Sequence, residues 1–218
     1  TGGADVDQFT FTAALSGTAS GLGEDDVFNI NDNGSAGTID GGAEEIDADG
    51  DVVTYAGRVT QAADIAFDAF TDIETLVGSN QAGLVDTLQG TAGNDTFTVA
   101  TPDAGTAGVT DSGTTIAFSD FENLSGLGGE DTFDLQADVS GNVDGGDDAD
   151  RINLTRGVTV TGTLTGGADG NDNDFTAIFI HDPDRLLDAI DHLLAVEVPA
   201  GAIEVETLWQ AARNAGRA

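Results

Sequence analysis

The feature that most constrains this chain is a regular spacing of its apolar residues. Leu124, Phe133, Val143 and Ile152 follow one another at steps of nine, ten and nine residues, and each step contains glycine and aspartate. A step of that length accommodates one short strand and one tight turn, so two steps make one coil of a structure in which each strand stacks on the one before. The spacing therefore predicts an all-β fold, a β-solenoid.

The turns between the strands share a motif that begins with glycine and ends with aspartate. Its clearest copies are Gly90–Thr98 and Gly126–Asp134, and partial copies begin at Gly2, Gly21 and Gly145. Glycine adopts positive φ without a steric penalty, and aspartate favours turns because its carboxylate can accept nearby backbone N–H groups. A large apolar residue follows two positions after the aspartate and is expected to fill the core.

This pattern is the nonapeptide G-G-x-G-x-D-x-U-x, in which U is a large apolar residue. The chain thereby resembles the calcium-binding repeats-in-toxin (hemolysin-type) family and the large bacterial surface adhesins that carry degenerate copies of the repeat. The resemblance covers residues 1 to 175 with gaps, and Asp5, Glu24 and Asp148 stand where the fourth-position glycine is expected. It implies Ca²⁺ bound between consecutive coils. The candidate ligands are Asp7, Asp26, Gly93, Asp95, Gly129, Asp131, Asp148 and Asp150.

Two pairs of aspartates among these candidates are separated by one coil. Asp7 and Asp26 are 19 residues apart, as are Asp131 and Asp150, so the members of each pair are expected to lie one above the other. Asp95 has no matching aspartate at that distance. A turn-capping role for Asp95 is therefore as consistent with the sequence as metal ligation is.

The charge of the chain restricts its partners. There are 40 acidic residues against 6 arginines and no lysine, a formal net charge of −34, and 31 of the acids are aspartate. Such a surface repels nucleic acid and anionic membranes. The excess of aspartate over glutamate favours turn and Ca²⁺ positions, because the shorter side chain suits both. Adaptation to concentrated salt is a second explanation of the same composition.

Internal repeats indicate that the chain duplicates a supersecondary unit. Residues 37–42 and 51–55 recur in the same order as residues 141–146 and 150–154. A second pattern, F-[ST]-D-Φ-E-x-L-x-G, occurs at Phe70–Gly78 and again at Phe118–Gly126. We expect Glu74 and Glu122 in this pattern to accept backbone N–H groups at a fixed position of the coil.

The periodicity changes near residue 180, which predicts two domains. Residues 1–180 form the solenoid, and residues 181–218 form a helical segment in which Asp182 caps a helix that has Pro183 at its first position. A solenoid needs its last coil covered, because exposed strand edges promote aggregation. We expect the helical segment to be a cap or a junction to a neighbouring chain.

These observations predict a secreted or cell-surface structural protein, an adhesin, matrix or surface-layer component that folds on binding Ca²⁺. Its expected partners are further copies of itself, neighbouring surface proteins or polysaccharide. We predict no enzymatic activity, because His181 and His192 lie in the helical segment and no nucleophile motif is present. The alternatives are a polysaccharide-acting β-helix enzyme or its non-catalytic module, using Tyr55, Arg151 or Arg156, and a salt-adapted acidic surface protein without a specific metal.

Overall fold

The described part of the chain is a stack of short β-strands. The structure, a computed structural model, describes residues 1–43, 50–110, 112, 115–155 and 157–167, and the backbone of residues 175–178. The strands are β1 (Gln8–Phe11), β2 (Ala14–Leu22), β3 (Val27–Ile30), β4 (Ser35–Gly42), β5 (Val52–Thr54), β6 (Asp64–Ala66), β7 (Thr75–Val77), β8 (Thr87–Gln89), β9 (Asp95–Thr101), β10 (Ala104–Val109), β11 (Ile116–Ser119), β12 (Asn123–Ser125), β13 (Thr132–Leu135), β14 (Val143–Asp144), β15 (Asp150–Leu154), β16 (Leu164–Thr165) and β17 (Phe175–Ile178).

The predicted coil is confirmed by the strand register. Leu124 in β12 pairs with Val143 in β14, and Phe133 in β13 pairs with Ile152 in β15, both in parallel. Each pair is 19 residues apart, which is one coil of two strands and two turns. Near the other end, Phe9 pairs with Phe28 in the same way. The described residues therefore form the all-β solenoid that the sequence predicts.

The strands form two main sheets that enclose a thin apolar core. One sheet has ten strands in the order β1-β3-β5-β7-β11-β10-β9-β13-β15-β17. A five-stranded sheet, β16-β14-β12-β8-β6, and a two-stranded sheet, β2-β4, complete the coils. Equivalent side chains stack along the core: the rings of Phe9 and Phe28 are parallel with centroids 4.8 Å apart, and those of Phe97 and Phe133 repeat this arrangement at 4.8 Å.

One feature of the ten-stranded sheet departs from a simple solenoid. β10 runs antiparallel to both of its neighbours, β9 and β11, whereas the other pairs in this sheet are parallel. The turn from β9 into β10 consists of Pro102 and Asp103, and Asp103 has a φ of 54°. Proline presets the first turn position, and aspartate tolerates the left-handed conformation at the second. The hairpin separates the strands of the two halves of the solenoid.

The internal repeats correspond to real structural repeats. In each of the pairs β4–β5 and β14–β15, a strand of one of the smaller sheets is followed by a strand of the ten-stranded sheet. The F-[ST]-D-Φ-E-x-L-x-G pattern forms a similar corner twice, with positive φ at Asp72 and at Asp120. The strand near the end of the first copy joins the ten-stranded sheet as β7, whereas the strand near the end of the second copy joins the five-stranded sheet as β12.

The C-terminal predictions fall largely outside the described residues. The predicted helical segment 181–218, with His181 and His192, lies there, and so does Arg156. Between residues 158 and 165, Leu164 and Thr165 form a strand and Val160 makes an isolated bridge with Val139. No helix in the described part of the chain has the length and apolar character needed to cross a membrane.

Candidate functional site: the stacked corner carboxylates

A row of carboxylates lines the corner where the chain enters the ten-stranded sheet. The backbone N–H of Asp7 donates to Asp26 Oδ1 at 2.6 Å, and the N–H of Asp26 donates to Asp51 Oδ1 at 2.6 Å. The N–H of Asp51 in turn donates to Glu74 Oε2 at 2.7 Å. Each carboxylate thus accepts the N–H of the corresponding residue one coil nearer the N-terminus. The predicted stacking of Asp7 and Asp26 is confirmed.

A second row, at the entries to β9, β13 and β15, repeats this arrangement. The N–H of Asp95 donates to Asp131 Oδ1 at 2.7 Å, and the N–H of Asp131 donates to Asp150 Oδ1 at 2.9 Å. The predicted stacking of Asp131 and Asp150 is confirmed. The expectation that Asp95 lacks a partner one coil away was wrong. Its partner Asp131 is 36 residues later because β10 and β11 add an excursion to that coil.

A third row caps the strands of the five-stranded sheet. Asp86 Oδ1 accepts the N–H of Ala63, and Glu122 Oε2 accepts the N–H of Asp86 at 2.7 Å. Glu74 and Glu122 therefore act as the sequence predicts, as acceptors of backbone N–H groups at a fixed position of the coil. Because Ala63 donates as well as Asp86 does, this arrangement requires a side chain only from the acceptor residue.

Neutral amides perform the same task on a neighbouring part of this sheet. Asn123 Oδ1 accepts the N–H of Asn142 at 2.7 Å, and Asn142 Oδ1 accepts the N–H of Thr163 at 2.7 Å. An amide oxygen and a carboxylate oxygen accept equally well in geometric terms. Capping of the backbone therefore does not by itself require the negative charge that the aspartates bring.

The glycine that opens each turn motif is required by the carboxylate that closes it. A Cβ on Gly21 would overlap Asp26 Oδ2, and a Cβ on Gly126 would overlap Asp131 Oδ2. Gly145 is related to Asp150 in the same way. In each case the carbonyl oxygen of the glycine one coil further on also lies against that position. The spacing of five residues between glycine and aspartate is thus a packing requirement of the folded corner.

Burial makes these carboxylates electrostatically unusual. The side chains of Asp26, Asp95, Asp131 and Asp150 are at most 2 % exposed. Burial raises the pKa of Asp131 to about 7, and the charges of Asp150 and Asp95 add to this effect. Burial also raises the pKa of Asp26 and of Asp95. A buried carboxylate is expensive to ionise unless another group compensates its charge.

Two oxygens in these rows lack a hydrogen bond. Asp26 Oδ2 and Asp131 Oδ2 are buried, and no donor among the described residues reaches either atom. Asp131 Oδ2 shares its surroundings with the carbonyl oxygen of Gly145, since both atoms lie beside the position that a Cβ on Gly126 would occupy. Within the described part of the chain, such a corner brings a carboxylate oxygen and a carbonyl oxygen to the same place.

The structure places the predicted metal ligands unequally. Asp7, Asp26, Asp95, Asp131 and Asp150 belong to the stacked rows. Gly93 and Gly129 lie against each other on adjacent coils, where Gly129 has a φ of 104°. Asp148 is exposed with a φ of 75° and is not part of a row. Within the described ranges, no three acidic or histidine side chains form a metal-binding group.

Sequence reasoning missed two members of the rows, Asp51 and Asp86. Both are fully buried. Asp51 lies ten residues after its glycine, Gly41, because residues 44–49 are inserted between them, and this hid the usual spacing of five. The signal that was available is the apolar residue two positions after each aspartate, Val53 and Leu88, which matches the turn motif elsewhere.

Tyr55 and Arg151, two of the groups proposed for a catalytic groove, do not come together. Tyr55 follows β5, is 3 % exposed and lies beneath Arg58, whose guanidinium carbon is 4.6 Å from the ring centroid. Arg151 lies on β15, six strand positions away in the ten-stranded sheet. At about 4.8 Å per strand, this separates them by roughly 29 Å.

The fold and its corner rows define a parallel β-solenoid built from a repeated glycine–aspartate turn. Comparisons of the chain with family models, with curated proteins and with solved structures found no match.

Proposed function

We propose that this chain is a structural segment of a secreted or cell-surface protein, a solenoid whose corner aspartates hold Ca²⁺ between coils. The observation that supports this most directly is the contrast between the asparagine and aspartate rows. Asn123 and Asn142 cap backbone N–H groups without charge, whereas the corners at Asp26 and Asp131 carry buried carboxylates with one oxygen lacking a donor. A cation is the group that would compensate such a charge.

The donor atoms are chemically suited to Ca²⁺, which prefers carboxylate and carbonyl oxygens. At the Asp131 corner they are Asp131 Oδ2 and the carbonyl oxygen of Gly145. The resemblance to calcium-binding repeats adds Asp7, Asp95, Asp150 and the carbonyls of Gly93 and Gly129 as candidates. Bound Ca²⁺ supplies positive charge. The chain itself supplies the rigid spacing of the coils and the glycines that leave room beside each carboxylate.

The role that follows is conditional folding. Without a cation, repulsion between stacked carboxylates opposes closure of the coils, and a ligand that binds the folded state stabilises it in proportion to its concentration. Such a chain would be loose where Ca²⁺ is scarce and closed where it is abundant. A closed solenoid presents long, regular walls, which suits an adhesin, matrix or surface-layer component that contacts polysaccharide or neighbouring proteins.

The test compares cations at constant ionic strength. We expect Ca²⁺ to raise the midpoint of urea unfolding, followed by circular dichroism, well beyond Mg²⁺ or Na⁺ at the same ionic strength. Asp131→Asn should keep the folded signal and lose much of this Ca²⁺ response. The control Glu130→Gln, an exposed neighbour whose side chain is not part of a row, should retain it. Equal midpoints in chelator and in Ca²⁺ would refute the proposal.

A salt-adapted protein without a specific metal is the second candidate. The exposed acids Glu24, Asp5 and Asp148 surround the corners, and the net charge of −34 is suited to concentrated salt. This candidate predicts that K⁺ or Na⁺ at high concentration stabilises the fold as well as Ca²⁺ does. Both candidates are non-catalytic. Cleavage of a uronic-acid polymer by the purified chain would instead support the β-helix enzyme.

A further inference from the structure

The turn between β3 and β4 contains the pair Asn33 and Gly34, and no other asparagine in the 218-residue sequence is followed by glycine. The N–H of Gly34 donates to the carbonyl oxygen of Asn31 at 2.8 Å and closes the turn. Asn33 adopts a φ of 61°, which asparagine tolerates at the third position of a turn. A Cβ on Gly34 would overlap the carbonyl oxygen of Phe11, so both residues of the pair suit this turn.

The same turn holds a loop of the next coil, residues 56–62. The carboxylate of Asp32 accepts the backbone N–H groups of residues 59–61, each at 3.2 Å. The side-chain oxygen of Gln61 accepts the N–H of Asn33 at 2.8 Å. The loop is therefore fixed through two consecutive residues of the turn, so its position depends on the backbone geometry there.

The side chain of Asn33 can react with its own backbone. It is exposed, and within the described part of the chain no group forms a hydrogen bond with its amide. The backbone nitrogen of Gly34 can attack Cγ of Asn33, which forms a five-membered imide and releases ammonia. Water then opens the imide at either carbonyl and leaves aspartate or isoaspartate. Glycine favours the attack because it has no Cβ beside the attacking nitrogen. That nitrogen must first leave its hydrogen bond to Asn31, so the reaction proceeds through local opening of the turn.

Asn94 shows what protects an exposed asparagine elsewhere in this fold. Its Oδ1 accepts the N–H of Glu130 at 2.9 Å, so its amide is held in place. The residue that follows is Asp95, whose N–H donates to the buried carboxylate of Asp131 at 2.7 Å. The nitrogen that would have to attack is therefore held in a buried corner, and its residue carries a side chain.

We propose that Asn33 deamidates spontaneously in the folded chain, and that this change releases loop 56–62 from the turn. Isoaspartate adds a methylene group to the backbone, which lengthens the turn and displaces its N–H from Gln61. Aspartate adds a negative charge beside Asp32, in a chain whose net charge is already −34, and like charges at short range repel. The proposal does not rest on Ca²⁺ binding, because none of the carboxylates in the corner rows takes part.

Tyr55 reports the position of the loop. It is 3 % exposed, and Arg58 of the loop lies over it with the guanidinium carbon 4.6 Å from the ring centroid. It is also the only tyrosine in the sequence. Release of the loop should uncover the ring and make it reactive toward tetranitromethane, which nitrates accessible tyrosines.

The experiment incubates the full 218-residue chain at mildly alkaline pH, in Ca²⁺ and in chelator, wherever circular dichroism shows a folded chain. Peptide mass spectrometry measures deamidation at each asparagine and nitration at Tyr55. We expect Asn33 to convert at least about tenfold faster than Asn94, and nitration of Tyr55 to rise several-fold as conversion proceeds. Asn33→Gly is the matched control, since glycine suits this φ and has no amide to react, and its Tyr55 should stay protected throughout.

Each half of the proposal can fail separately. Conversion of Asn33 no faster than that of Asn94 would overturn the modification site. Conversion of Asn33 without a rise in nitration would overturn the release of the loop. An equal rise in incubated Asn33→Gly would overturn it as well, because that chain cannot deamidate at position 33.

Discussion

Asp95 and Asp131 are 36 residues apart in sequence, yet the N–H of Asp95 donates to Asp131 Oδ1 at 2.7 Å. The two residues occupy the same corner position on adjacent coils, because Thr96 pairs with Thr132 immediately after them. This hydrogen bond joins β9, at the base of the hairpin, to the regular coils that follow. The stability of the second half of the solenoid should therefore depend on the acceptor at position 131.

Replacing this acceptor tests the capping role directly. Asp131→Ala leaves the buried N–H of Asp95 without an acceptor and opens a small cavity, so we expect a loss of about 2–4 kcal/mol in the free energy of unfolding. Asp131→Asn keeps Oδ1 and removes the buried charge, and it should remain within about 1 kcal/mol of the unaltered chain in chelator. Urea unfolding measures both. Equal losses in the two variants would contradict the capping role.

The raised pKa of Asp131 gives the fold a pH dependence of known sign. Its pKa is about 7 in the folded chain because of burial, and an unfolded aspartate titrates near 4. At a pH between these two pKa values, Asp131 therefore holds a proton in the folded state that it has lost in the unfolded state. The stability that protonated Asp131 contributes to the folded chain is fully present below about pH 4 and is lost as the pH rises through about 7.

We expect the free energy of unfolding in chelator to fall between about pH 4 and 7 by at most about 1.4 kcal/mol per pH unit from this single group. Asp131→Asn removes the titrating group and should flatten the profile over the same range. The difference between the two profiles isolates Asp131 from Asp26 and Asp95, whose pKa values burial also raises. Parallel profiles for the two chains would show that Asp131 does not titrate there.

Much of the fold could be predicted from the sequence, because the coil is a local repeat. The steps between Leu124, Phe133, Val143 and Ile152 fix both the strands and their vertical partners. The antiparallel strand β10 could not be predicted from that repeat, since it interrupts the coil without changing the motifs on either side. The Pro102-Asp103 turn, which leads from β9 into β10, was a local signal of it. Burial of Asp51 and Asp86 was also hidden, because their glycines are not five residues away.

The glycine that opens the turn motif should tolerate substitution by alanine far less well than an unhindered glycine does. In Gly126→Ala the new methyl group would overlap Asp131 Oδ2 and the carbonyl oxygen of Gly145, and neither a buried carboxylate nor a backbone carbonyl can move away cheaply. We expect a loss of about 2–4 kcal/mol in the free energy of unfolding. The control is Gly17→Ala in β2, where no atom lies within 4 Å of the new methyl group. A loss in Gly17→Ala as large as that in Gly126→Ala would refute the packing explanation.

At the next position of the motif, Leu127, we expect the opposite: replacement by glycine should stabilise the chain. Leu127 adopts a φ of 74°, a left-handed conformation that costs a residue with a Cβ about 1–2 kcal/mol, whereas Gly146 occupies the equivalent position one coil later with a φ of 110°. Part of the gain from Leu127→Gly is offset by the greater freedom of glycine in the unfolded chain. We therefore expect a net stabilisation of about 0.5–1 kcal/mol.

Leu15 is the matched control, since both side chains are 44 % exposed but Leu15 lies in β2 without a positive φ. Leu15→Gly should destabilise the chain by about 1 kcal/mol, because glycine weakens a strand. Urea unfolding of the two variants side by side decides the matter, and a loss in Leu127→Gly equal to that in Leu15→Gly would show that the corner is not strained.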